Sequence, residues 1–364
     1  MKIGWRGVFG ILLSAGFLYF AFRGIKLDEV VANMRGTNVG LMILAAVLAT
    51  GTFPLRAIRW RPILDPVAPK LPYGKLWRAT AIGMMINNVV PARVGEVARA
   101  FALSRSAPQV PFTASLASLV VDRLLDAILI FGLMFAAMLS SAFPQGAQIS
   151  GRSVSSYAIF GVTVTLIGLA GMYLFILFPN RVLAVWDRAT RRLSPKIAAK
   201  GRETLLSLAK GLSVLRSPRR FAVVLWWTLA HWLLNALAFW VGFRAAGMDL
   251  PFSAALFLQG IIAIGVAVPQ APGFFGVFEN FARIGLAGIY GVSADAAVSW
   301  AIGYHLLSFI PITLIGGWYF LRAGLSMGEI SGAKRTVAAP PAIEPPVVEP
   351  PVNGRPSASA ASSR

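Results

Sequence analysis

Between Asn87 and Arg99 a hydrophobic run that begins at Ala79 is broken by Pro91 and Gly95, and Arg93, Glu96 and Arg99 fall inside the break. In a bilayer such a break frees backbone N–H and C=O groups that water does not reach. It is tolerated only where it is buried in protein or lines a cavity. Charge at membrane depth costs at least about 2.5 kcal/mol per residue on the insertion scale, so it is read first as functional. The alternative is a cytoplasmic loop between two short helices.

A second stretch, Val268 to Arg283, has the same pattern. An apolar approach meets Pro269, Pro272, Gly273 and Gly276, then Glu279, then Arg283 four residues later. Paired Gly/Pro-interrupted hydrophobic segments in the two halves of a chain point to a transporter's binding site.

Whether these stretches lie in a membrane is a question for composition. The chain is 57% hydrophobic and 13% charged, against about one quarter charged for soluble domains. It therefore belongs to the integral membrane class. Cysteine is absent, which excludes disulfides, thiolate metal sites and a cysteine nucleophile. The formal charge of +20 suits either nucleic acid or basic cytoplasmic loops, and its distribution decides for the loops. Residues 56–78 net +5 and 179–220 net +9, whereas 23–38, 146–156 and 244–251 net +1, +1 and zero. Lys and Arg gather on the cytoplasmic side.

The expected fold is an all-α polytopic membrane protein. About six transmembrane helices are predicted near 8–22, 39–55, 112–143, 157–178, 221–243 and 294–321. Two re-entrant broken-helix hairpins, about 79–105 and 252–290, enter from opposite faces as an inverted repeat. Each hairpin arm is shorter than the ~20 residues a crossing needs. The loop 56–78, with four prolines, is expected in the cytoplasm with Trp60 and Trp77 at headgroup level. Segment 179–220 reads as basic amphipathic helix on the inner surface or as a helical cytoplasmic connector. The membrane domain is expected to run 1–322. Residues 323–364 read as a Pro-rich disordered cytoplasmic tail, with both termini inside.

Several residues together resemble a known family. Arg59-Trp60 precedes Ile63-Leu64, and Asn88 precedes Pro91-x-Arg93-x-Gly95-Glu96-x2-Arg99. Asp122-Arg123-x2-Asp126 and Pro269-x2-Pro272-Gly273-x2-Gly276-x2-Glu279 follow. The pattern, up to about residue 325, resembles the lysylphosphatidylglycerol synthase transmembrane-region family of flippase-like membrane proteins. The resemblance implies lipid handling at the bacterial inner membrane, with an anionic phospholipid or a polyprenyl phosphate as ligand. Only a tail follows the last span, where two-domain members carry a soluble aminoacyl-transferase domain, so lysyl transfer is not expected.

The candidate substrate residues are Arg93, Glu96, Arg99, Asn88, Glu279 and Arg283. A guanidinium at Arg93 offers forked donors matched to phosphate oxygens, and a broken-helix N-terminus adds backbone N–H groups. Glu96 and Glu279 have three readings: compensating arginine, taking a coupling proton, or holding the amine of a zwitterionic headgroup. The competing reading pairs all these charges with one another inside the hairpin. Asp122, Arg123 and Asp126 are expected to form a structural ion cluster, and Pro91, Gly95, Pro272, Gly273 and Gly276 to shape the breaks. His231 and His305 are expected to hydrogen-bond between helices. No metal, cofactor, ATP-binding loop or hydrolase motif is expected. The functional reading is a lipid transporter and not an enzyme. Its alternatives are a membrane enzyme and a scaffold that recruits lipid-synthesis enzymes; no nucleic-acid partner is expected.

Overall fold

The computed structural model describes residues 5–90, 94–144, 148–149, 152–190, 198–199, 201–202, 205–206, 213–267 and 272–330. Nearly all of them are helical. In chain order the helices are α1 (Trp5–Phe22), α2 (Leu27–Arg35), α3 (Val39–Leu64), α4 (Tyr73–Val89), α5 (Gly95–Ser106) and α6 (Phe112–Met138). Then come α7 (Val154–Leu177), α8 (Pro179–Ala189), α9 (Pro218–Ala245), α10 (Phe252–Ala267), α11 (Val277–Arg283) and α12 (Ala294–Arg322). A two-residue antiparallel pairing, Gln148–Ile149 with Arg152–Ser153, precedes α7.

Among the described residues, four helices are long and apolar enough to cross a bilayer: Val39–Leu64, Ile159–Leu177, Pro218–Ala245 and Ala294–Arg322. The chain is thus a multi-pass helical membrane protein. Helix α6 is 27 residues long but carries Asp122, Arg123 and Asp126. Helix α10 has 16 residues, about 24 Å of rise against a hydrocarbon core of about 30 Å.

Both expected breaks are present. Helix α4 ends at Val89 and α5 starts at Gly95; α10 ends at Ala267 and α11 starts at Val277. In each case the two arms pack on one another as a helical hairpin. The first closes on glycine: a Cβ at Gly83 would lie 2.7 Å from the Gly95 carbonyl oxygen. Asn87 Oδ1 accepts from Gly95 N–H at 2.8 Å, satisfying one of the donors that the α5 N-terminus leaves open.

Two loop expectations need correction. Helix α3 does not stop near Leu55 but continues to Leu64, through Pro54 and Pro62. An internal proline costs about 3 kcal/mol, and here the cost is set against ion pairs that the extended helix makes through Arg56 and Arg59. Trp60, expected at the headgroups, is fully buried. Residues 27–35, read as loop, form α2.

The apolar packing divides between the hairpins. Trp60, Ile82, Ile86, Leu103, Leu119 and Leu125 belong to one cluster around α4–α5. Phe239, Phe243, Phe278, Trp300 and Tyr304 belong to another around α10–α11. Helices α3 and α9 share the most extensive contact, and Ala45, Ala49, Ala236 and Ala238 lie in one buried cluster, the small residues that let membrane helices approach. Helix α12 touches both hairpins. Its Thr313 Oγ1 accepts from Asn88 Nδ2 at 2.7 Å, and its Gly316 sits against the Ala81 carbonyl of α4.

Of the basic segment 179–220, α8 and a 3-10 turn at Ser213–Arg216 are described; most of 191–212 lies outside the described residues. After α12, Leu325 and Ile330 are buried, and Glu329 pairs with Arg105 at the end of α5. The rest of the tail lies outside the described residues.

Candidate functional site

Helices α3, α5 and α6 bring seven charged side chains together. Asp122 and Asp126, four residues apart, project from one face of α6. Arg56 and Arg59, three apart, meet them from α3. Arg59 Nη2 lies 2.5 Å from Asp122 Oδ1, and its Nη1 donates to Asp126 Oδ1 at 2.6 Å. Arg56 Nη2 donates to Asp126 Oδ2 at 2.7 Å, and Trp232 Nε1 from α9 donates to Asp126 Oδ1 at 3.0 Å. From α5, Arg99 Nη1 reaches Asp122 Oδ2 at 3.3 Å, and Glu96 accepts from Arg123. Arg59 and Asp122 have no exposed side-chain surface.

The cluster does not close electrically. Arg56, Arg59, Arg99 and Arg123 face Glu96, Asp122 and Asp126, leaving one positive charge over. Arg56 Nε, Arg59 Nε, Arg99 Nε and Arg99 Nη2 are buried donors without a partner among the described residues. A buried unpaired donor costs about 1–3 kcal/mol, and more on a charged group. Stacking fixes the plane of Arg99, whose guanidinium lies 4.0 Å above the Trp60 ring. Trp60 is in turn anchored by donating to Ser118 Oγ at 2.8 Å. The cluster stands at the start of α5, beside the first break. Chemically it suits a ligand rich in acceptor oxygens and carrying negative charge.

The second break is built differently. Gly273 (φ +68°) and Gly276 (φ +86°) take backbone conformations that side chains with a Cβ rarely adopt. Glu279, in the first turn of α11, accepts from Gly276 N–H at 2.6 Å, half of a capping box. Its other oxygen lies 2.7 Å from His305 Nδ1 on α12. The His305 ring lies between Phe275 and Phe278, at centroid distances of 4.7 and 4.5 Å. The turn Pro272–Phe274 rests against α4 of the first hairpin.

Glu96, Arg99, Asp122, Arg123 and Asp126 come together as one cluster. Asn88 lies next to it in sequence but bonds to α12. Pro91 and Arg93 lie outside the described residues. Glu279 pairs with His305, and among the described residues no hydrogen bond or ion pair joins it to the arginine cluster. Arg283 Nη1 donates to the carbonyls of Phe20, Ala21 and Arg23 at 2.7, 3.0 and 3.0 Å, where α1 ends; its contacts are those of a C-terminal cap. His231 Nδ1 meets the Thr52 carbonyl at 3.0 Å. Both histidines therefore bridge helices.

Sequence reasoning missed Arg56, Arg59, Trp232 and the His305–Glu279 pair. One signal was available: arginines three apart on one long helix match carboxylates four apart on another. Among the described residues there is no group of three His, Asp or Glu side chains that could hold a metal.

The lysylphosphatidylglycerol synthase TM-region family model matches residues 7–316. Over 334 residues the chain is 25% identical to the glycosyltransferase AglD of Haloferax volcanii, covering 85% of this chain and 53% of that protein. The chain thus spans about half that relative's length. It is 27% identical over 315 residues to a UPF0104 membrane protein of Methanothermobacter thermautotrophicus, covering 82% of this chain and 88% of that one. A UPF0104 membrane protein of Pyrococcus horikoshii is 24% identical over 332 residues, covering 86% and 95%. These relatives are archaeal.

Proposed function

The chain belongs to the lysylphosphatidylglycerol synthase TM-region family, and from that premise we propose that it is a lipid transporter that moves a phosphate-bearing lipid between leaflets. The observation that carries the reading is the open arginine cluster beside the first break. A lipid phosphate supplies the missing negative charge and oxygens for the unpartnered donors of Arg99, Arg59 and Arg56. Guanidinium groups suit this role because their forked donors match phosphate geometry. Arg93, in the break itself, is placed by sequence to add another fork. The acyl chains stay in lipid while the headgroup crosses along protein.

In this reading α1, α3, α6, α7, α9 and α12 cross the membrane. The α4–α5 and α10–α11 hairpins are re-entrant from opposite faces, and both termini are cytoplasmic. The contact of the Pro272–Phe274 turn with α4 supports hairpins that approach one another. The protein moves lipid and catalyses no covalent step. Group transfer is the second reading, favoured by the name of the Haloferax relative; nearly half of that protein lies outside the matched stretch.

Proteoliposomes carrying a labelled anionic phospholipid test the transporter. Arg99→Lys keeps the charge but loses the fork and the flat stack on Trp60. It is expected to elute as folded protein while lipid movement falls about tenfold, the equivalent of one charge-assisted hydrogen bond. Arg93→Lys is expected to behave likewise. Wild-type protein that leaves the label's leaflet distribution unchanged would sink the transporter reading, and unimpaired movement in both variants would remove the phosphate site.

A further inference from the structure

We propose that Glu279 and His305 form the coupling-ion site of this transporter and that the ion is a proton; the inference rests on the transporter reading above. Acidic and histidine residues inside membranes commonly serve proton relays. Here the pair is buried, bonded at 2.7 Å and boxed by phenylalanine rings. With His305 neutral, its Nδ1–H donates to the Glu279 carboxylate and the pair carries one negative charge. A proton taken up at Nε2 converts it to carboxylate and imidazolium, and the pair becomes neutral overall. A neutral pair is far cheaper to enclose in an apolar box than a net charge. Protonation therefore favours the closed arrangement, and release favours one in which water reaches the pair.

The pair is placed to transmit that difference. Glu279 holds the N-terminus of α11 through Gly276 N–H with one oxygen and meets His305 with the other, so a change of charge on His305 bears on the second break through a single carboxylate. A six-residue π-helical turn, Ile284–Ile289, follows α11, a feature frequent at functional sites. His305 lies on α12, and eight residues along the same helix, about 12 Å, Thr313 takes the hydrogen bond from Asn88 beside the first break. One helix thus joins the proton pair to the hairpin that contributes Glu96 and Arg99 to the arginine cluster.

Competing titratable groups are few. Helix α10 and the π-helical turn contain no ionisable side chain, and α1 contains Arg6 and Tyr19. On α11 itself Arg283 is committed to the α1 carbonyls. On α12, Tyr304 stacks on Phe278, and Asp295 accepts from Lys26 N–H about three turns before His305. Tyr319 and Arg322 sit at the far end of α12. The ionisable residues of α4 (Tyr73, Lys75 and Arg78) lie in its first two turns, and those of α2 are exposed, Asp28 and Glu29 in its first turn and Arg35 in its last. Helix α3 commits Arg56 and Arg59 to α6, and Arg61 lies at its end; α9 commits His231 to Thr52 and Arg244 to Asp249.

The test uses full-length protein in liposomes containing labelled phosphatidylglycerol, with and without an imposed pH gradient. Infrared titration of the purified protein is run in parallel. Wild type is expected to drive the label to one leaflet under the gradient, by at least threefold, and His305→Gln to equilibrate it regardless of the gradient. Glu279→Gln is expected to do the same; if it fails to fold, His305→Gln and the wild-type response still decide. Wild-type movement indifferent to the gradient overturns the proton site and leaves lipid transport standing. If wild type moves no lipid, the transporter reading fails and the infrared titration decides the pair. A protonation signal lost in His305→Gln supports it, and none between about pH 4 and 9 overturns it.

Discussion

Gly83 and Gly95 meet backbone to backbone across the first hairpin, and a Cβ added to Gly95 would overlap the Gly83 carbonyl oxygen. The neighbour is main chain, so it has no rotamer through which to yield. Gly95→Ala is therefore expected to lower stability by at least the usual overpacking cost of about 1–3 kcal/mol. Gly171→Ala, where nothing lies within 4 Å, should be neutral or slightly stabilising. Thermal unfolding in detergent checks both, and equal midpoints would refute the close approach.

The α3–α6 ion pairs should behave as a unit. Asp126→Asn leaves Arg56 and Arg59 facing one carboxylate fewer, and breaking a buried pair in this way costs about 3–5 kcal/mol. Arg56→Met alone should cost less, because Asp126 keeps Arg59. In the Arg56→Met/Asp126→Asn double variant the losses should fall short of additivity by about 0.5–3 kcal/mol, the range for residues in contact. Strict additivity would mean the two side chains do not share the cluster.

What the sequence made legible was local. Proline and glycine chemistry located both breaks to within a few residues, and Asp122, Arg123 and Asp126 were recognisable as an ion cluster. What it hid was non-local. Arg56 and Arg59 looked like loop residues because charge and Pro54 both argue for water. Only the carboxylates of α6, some seventy residues on, make their burial tolerable. The same holds for Trp60, whose partner Ser118 is on α6, and for His305, whose value depends on a glutamate held by a different helix. Helix α2 escaped notice because its nine residues are too few to cross a bilayer and their mixed charge reads as a connection between spans.

The segment after α12 should loosen in acid. Two neighbours hold the Glu329 carboxyl below its ordinary value: the Ser326 backbone N–H first, then Arg105. A depressed carboxylate contributes its contact fully above the ordinary pKa and loses it as pH falls through the lower, folded value. Protection of the Leu325–Ile330 amides, measured against their intrinsic exchange rates, is therefore expected to fall below about pH 4 in wild type. Glu329→Gln should show low protection at every pH, and a wild-type protection that does not change with pH would contradict the contact.

The absence of cysteine makes sidedness directly measurable. Single substitutions Lys70→Cys and Ala199→Cys are expected to react with a membrane-impermeant maleimide only from the cytoplasmic side, and Gly247→Cys only from the other. The basis is the concentration of Lys and Arg in 56–78 and 179–220. Labelling of all three from one side would overturn the proposed topology.

The division of the arginine cluster between α3, α5 and α6 also bears on how the chain is made. Synthesis delivers α3 first, with Arg56 and Arg59, and α6 some seventy residues later with Asp122, Arg123 and Asp126. In the proposed topology α6 crosses, and on its own it would meet the insertion machinery with three charges, each disfavoured by about 2.5–3.5 kcal/mol at a helix centre. The arginines already waiting on α3 supply counter-charges at the moment the carboxylates leave the ribosome's exit path. Insertion of α6 (Phe112–Met138) is thereby made conditional on α3. A substitution at Arg59 would be felt as failed insertion of a helix not yet synthesised when Arg59 enters the membrane.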